Sequence, residues 1–92
     1  MEQLTQHAAA RMQQRGIKQQ TIECLMKFGT KTHDNHGAVV FYFDKQARRR
    51  MKDRLDQKML NRMESQMDAY AVLSVHGDIV TVGHRTRRIG RH

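Results

Sequence analysis

Residues 70–85 leave little choice of fold. Apolar and polar residues alternate through 70–75 and 79–85, on either side of Gly77-Asp78. Period-two alternation around a dipeptide suited to a tight turn marks an antiparallel hairpin with one face buried. A two-residue turn at Gly77-Asp78 sets Val75 opposite Val80, Leu73 opposite Val82 and Ala71 opposite His84. One face then carries Ala71, Leu73, Val75, Val80, Val82 and, at its end, His84. The other carries Tyr70, Val72, Ser74, Thr81, Gly83 and Arg85. A sheet with one apolar face needs a second layer, and the rest of the chain must supply helices.

Residues 3–14 read as a helix ending at Gly16, with Leu4, Ala8 and Met12 on one stripe. A second helix over 18–28 carries Ile22, Leu25, Met26 and Phe28, and Gly29 ends it. Asp34-Asn35-His36-Gly37 is a turn signal before an apolar run, which predicts a hairpin with arms near 29–33 and 38–43. Asp44 then offers an N-cap to a basic, Met-rich helical segment over 45–67. The expected architecture is α+β in the order ααββαββ: two helices, then a small antiparallel sheet of two hairpins with a helix between them. At 92 residues this is one domain.

The segment 45–67 is unusual. Ala47, Met51, Leu55, Met59, Met63 and Met67 recur every four residues. On a helix of 3.6 residues per turn such a stripe winds about 200° around the axis, and a straight helix would span about 35 Å. Either the helix breaks near Asp56-Gln57, or its Met-rich distal half meets something outside the core, such as a second copy through residues 51–67.

Charge points to the partner. Seventeen Lys and Arg against nine Asp and Glu give a net charge of +8. Lys45, Arg48, Arg49, Arg50, Lys52 and Arg54 form one block, and Arg85, Arg87, Arg88 and Arg91 another. Arginine predominates in both, which suits two-pronged phosphate contacts. Nucleic acid, RNA first, is the expected partner, with Lys45, Arg48, Arg49, Arg50, Arg85 and Arg87 as the binding set. A plain solvated surface or an acidic, antitoxin-like protein partner is the alternative. The single cysteine, Cys24, excludes an internal disulfide and reads as a buried thiol. With no apolar run of membrane length and no apolar leader, the expected location is cytoplasmic. No cofactor is expected. His33 and His36 have no cysteine pair to complete a zinc site, so no metal is expected either.

His7, Arg11 and Arg15 follow at i, i+4, i+8 and cover an arc of about 80° beside the apolar stripe of the first helix. His84 and Arg88 share the apolar face of the last strand as it leaves the core. Meeting there, His7 and His84 would form a proton-transfer pair, with Arg11, Arg15 and Arg88 holding a phosphate. The bland alternative makes the arginines surface residues and His84 a core-edge histidine bonded to the backbone.

The opening His7-Ala8-Ala9-Ala10-Arg11-Met12-Gln13-Gln14-Arg15-Gly16-Ile17 resembles the start of a widespread family of short, uncharacterised bacterial proteins. The closing stretch from Asp78 to Ile89 is similar to the ending of one branch, and Phe41-Tyr42-Phe43-Asp44 adds a weaker match. The layout also resembles the RelE/ParE-like toxin superfamily, whose ribonuclease members cut RNA without metal. That resemblance implies a candidate endoribonuclease, in which one histidine takes the 2′-hydroxyl proton and the other protonates the leaving 5′-oxygen. A non-catalytic RNA- or DNA-binding module and a protein-interaction domain using the Met-rich helix are the two rival readings.

Overall fold

Capping and turn residues set most of the element boundaries. The structure, a computed structural model, describes residues 3–34 and 36–85. The chain is α+β, with strands β1 (Gln3–Leu4), β2 (Thr30–His33), β3 (Val39–Tyr42), β4 (Ala69–Leu73) and β5 (Asp78–His84). Its helices are α1 (Gln6–Arg15), α2 (Gln19–Phe28), α3 (Lys45–Arg54) and α4 (Gln57–Met63), the last followed by a 3-10 turn over Glu64–Gln66.

The first helix is shorter than the sequence suggests. Thr5, a residue type that favours helix starts, accepts a hydrogen bond from the Ala8 amide at 3.1 Å. Gln3 and Leu4 therefore lie outside the helix and pair in parallel with Asp78 and Ile79 of β5. The order ααββαββ is corrected accordingly: a strand precedes the helices, and the sheet is mixed, in the order β1-β5-β4-β3-β2. At the other end of α1 Gly16 turns left-handed (φ 67°), and Ile17 donates back to the Met12 carbonyl at 2.9 Å. This closing turn buries Ile17 at the joint with α2.

The expected long helix breaks where the acidic cap permits. Asp44 caps α3 through the Ala47 amide, and Asp56 caps α4 through the Met59 amide. Leu55, extended between them, turns the chain. The break resolves the winding stripe: Ala47, Met51 and Met63 are fully buried in the chain's own core, and Leu55, Met59 and Met67 pack partly against it. Gln66, itself buried, then ties this segment to the α1–α2 joint. Its amide oxygen accepts from the Thr21 hydroxyl at 3.0 Å and the Lys18 amide at 3.4 Å, and its amide nitrogen donates to the Gly16 carbonyl at 3.4 Å.

The hairpin β2–β3 forms as expected, but β4–β5 is shifted by two residues. Ala71 faces Val82, and Ala69 faces His84. The loop runs through Ser74, Val75, His76 and Gly77, where the Ser74 side chain accepts from the His76 and Asp78 amides and Gly77 adopts φ 88°. A bulge between Val72 and Leu73 then brings Ile79, not Val80, onto the core face. Val75, expected in the core, is 65% exposed in the loop.

One sheet face, with Phe41, Ala71, Val82 and Ile79, is buried beneath α1 and α2. The opposite face carries two rows. Thr30, Tyr42, Tyr70 and Gly83 form the first; Thr32, Val40, Val72 and Thr81 form the second. Every residue in these rows except Gly83 is partly exposed, and Thr30 is bonded by Asp44 and Arg50 at the start of α3 and within it.

Candidate nucleic-acid interface

Helix α3 concentrates positive charge on one side by its repeat alone. Lys45, Arg48, Arg49 and Lys52 stand at i, i+3, i+4 and i+7, within about 100° of arc, and all four are exposed. The helix is held against α2 by the buried pair Ala47 and Met51, which turns this stripe outward. Among the described residues no carboxylate pairs with any of the four, since the one ion pair found there joins His84 and Asp68. Arg48 and Lys52 also edge a groove between α3 and α4 whose floor includes Met51, Leu60 and Met63.

Two arginines of the expected binding set have structural work. Arg50 points away from the stripe and donates through Nε and Nη2 to the Phe28 carbonyl at 3.0 and 2.7 Å. It thereby satisfies an orphan carbonyl at the C-terminus of α2, where a cation is favoured. A further bond reaches the Thr30 hydroxyl. Arg85 donates to the Phe43 carbonyl at 2.6 Å and sets its guanidinium 5.6 Å from the centre of the Tyr42 ring. Arg87 and Arg88 lie outside the described residues.

The histidines are placed apart. His84 reaches the C-terminal end of α1, where Nδ1 contacts Asp68 Oδ1 at 2.7 Å and Nε2 contacts the Arg15 carbonyl at 2.8 Å. Both partners carry acceptor oxygens, an arrangement that the doubly protonated ring satisfies on both sides. The Asp68 hydrogen bond raises the His84 pKa. Partial burial opposes the rise, and the Arg15 carbonyl adds to it. His7 is exposed on the first turn of the same helix, eight residues or about 12 Å of axis before Arg15. The two histidines are thus set at opposite ends of α1, and both ring nitrogens of His84 are already engaged. Arg11 lies between them, partly buried, with Nε shielded and unpartnered among the described residues. Arg15 exposes its side chain, and its carbonyl serves His84.

Asp44 anchors the basic helix to the sheet edge. Burial alone would raise its pKa, but the Thr30 hydroxyl at 2.6 Å, the Ala47 amide and the nearby Arg50 charge outweigh it and hold the carboxyl below its ordinary value. Cys24 is buried, and burial, with Glu23 nearby, pushes its thiol pKa up, which leaves it a poor nucleophile. Among the described residues no three His, Cys, Asp or Glu side chains gather to hold a metal ion, and no helix is long and apolar enough to cross a membrane.

The two tyrosines are what the sequence reading passed over. Tyr42 and Tyr70 are directly paired across β3 and β4 on the sheet face opposite α1 and α2, both partly exposed. The Tyr70 ring lies across Gly83, so that a Cβ there would stand 3.0 Å from ring atoms. The signal was faint but present: these are the chain's two tyrosines, and each sits in a strand at a polar-face position.

No protein-family model, curated protein or solved structure matches the chain.

Proposed function

We propose that this chain is a non-catalytic nucleic-acid-binding module, RNA first, that grips the phosphate backbone with α3. The supporting observation is the four-cation stripe Lys45, Arg48, Arg49 and Lys52, turned outward and without a carboxylate partner among the described residues. Cations that no internal acid neutralises are available to phosphates, whose condensed counterions are released on binding. His84 is engaged on both ring nitrogens, by Asp68 and by the Arg15 carbonyl, which favours binding over the toxin-type cleavage of the fold-level resemblance, because a general base needs a free nitrogen.

Fluorescence anisotropy with a labelled mixed-sequence RNA 12-mer tests this. Four phosphate contacts on a single strand predict a salt slope near −3, or about a 50-fold loss of affinity between 50 and 200 mM salt. Replacing Lys45, Arg48 and Arg49 together by Gln should remove most of that slope. Salt-independent binding, or none, overturns the reading. RNA cut by the pure protein in chelator returns the ribonuclease to first place.

A further inference from the structure

The partly exposed sheet face opposite α1 and α2 has the chemistry of a stacking surface. Its first row sets Tyr42 and Tyr70 side by side on adjacent strands, where directly opposed Cβ atoms stand about 5 Å apart. The outer end of the Tyr70 ring lies against Gly83, where a Cβ would stand 3.0 Å from it. Arg85 brings a guanidinium plane to Tyr42, and its bond to the Phe43 carbonyl fixes it there. The second row adds the hydroxyls of Thr32 and Thr81 beside Val40 and Val72. The surface thus mixes aromatic rings, hydroxyls and a cation. It suits unpaired nucleotides, whose base faces stack on aromatic side chains and whose ribose 2′-hydroxyls take hydrogen bonds.

The basic helix is continuous with this face. Lys45 follows Tyr42 by three residues, Asp44 and Arg50 both bond Thr30 in the same row, and Arg85 closes the row's other side. A strand whose bases lie on the tyrosines thus has its phosphates directed toward the N-terminal end of α3.

We propose that this face binds single-stranded RNA by stacking two bases on Tyr42 and Tyr70, and that duplexes are excluded because their bases are not free to stack. The inference rests on the nucleic-acid reading above and adds the substrate class. The chain supplies its own reporter: it has two tyrosines and no tryptophan, so its intrinsic emission comes from Tyr42 and Tyr70 alone.

The experiment titrates the wild-type chain with unlabelled single-stranded RNA, DNA of the same sequence, and the corresponding RNA duplex, following tyrosine emission and, separately, anisotropy. Single-stranded RNA should quench the emission and bind most tightly. Tyr42→Leu and Tyr70→Leu should each weaken it by about 5- to 100-fold, while the Phe variants keep affinity. Circular dichroism checks that the Leu variants fold, and quenching in the wild type needs no variant. Binding that is salt-dependent but unquenched, equal for duplex and single strand and indifferent to the Leu changes, overturns the stacking face and leaves the α3 reading standing. Failure of every nucleic acid to bind overturns both. Equal affinity for DNA overturns the choice of RNA, and a dimer that the Leu variants dissolve overturns it in favour of a second copy.

Discussion

His84 and Asp68 close a link between the two ends of the structure: the ring nitrogen Nδ1 meets Asp68 Oδ1 at 2.7 Å, while Nε2 holds the last carbonyl of α1. The Arg85 amide donates to the Asp68 carbonyl at 2.8 Å, so the start of β4, the end of β5 and the end of α1 meet at one imidazole ring.

That ring makes stability depend on pH in a predictable direction. A histidine whose pKa is raised on folding stabilises the fold fully below its unfolded value, about 6.5, and the contribution is lost as pH rises through the folded value. The pair is partly exposed, with 28% of the His84 side chain and 55% of the Asp68 side chain accessible, so the gain is about 1 kcal/mol. Urea unfolding at pH 5.5 and 8.5 should show Asp68→Asn losing most at the lower pH. A variant that tracks the wild type across both would mean the link carries no weight.

Arg50 and Arg48 should separate stability from binding. Arg50→Gln removes two donors from the Phe28 carbonyl and one from Thr30, and should lower stability by about 1–2 kcal/mol. Arg48→Gln sits on an exposed stripe and should leave stability within about 0.5 kcal/mol while weakening RNA. Thermal melts beside anisotropy read both, and a reversed pattern would reject the assignment.

Asp44→Ala should cost about 1–2 kcal/mol, because it uncaps α3 and strands the Thr30 hydroxyl. The lowered Asp44 pKa means that this contribution is present above the unfolded value, near 3.9, and fades as pH falls through the folded one. Wild type and Asp44→Ala should therefore converge in denaturation midpoint in strong acid; a gap that persists there would show that the carboxylate charge is not responsible.

Gly83→Ala places a Cβ 3.0 Å from the Tyr70 ring and should displace it. Tyrosine anisotropy and near-ultraviolet circular dichroism are expected to change, with a loss of about 1 kcal/mol. An unchanged aromatic signal would mean that the ring does not rest on this glycine.

Local signals carried much of the fold. Asp44 named its own helix, Gly16 and Gly29 ended theirs, and the β2–β3 hairpin followed from a turn signal and an apolar run. What failed was non-local. Two residues, Gln3 and Leu4, show no alternation long enough to read as a strand, and their pairing with β5 lies more than seventy positions away. The β4–β5 register slipped because Ser74, by accepting two loop amides, makes a longer turn than Gly77-Asp78 alone suggests. In the candidate site, composition could count arginines but could not tell Arg50 and Arg85, committed to carbonyls, from Arg48 and Arg49, which face outward. Nor could it foresee the tyrosine pair, because a cross-strand partnership exists only once the register is fixed.

The two strands that present this pair are immediate antiparallel neighbours, yet α3, α4 and the 3-10 turn intervene between them in the chain. A direct connection would need only a few residues. The excursion therefore enters the core on its own account, and a change in its length must keep Ala47, Met51, Met63 and Gln66 in place. Only its outward side, with Lys45, Arg48, Arg49 and Lys52, can change without reaching what the strands pack on.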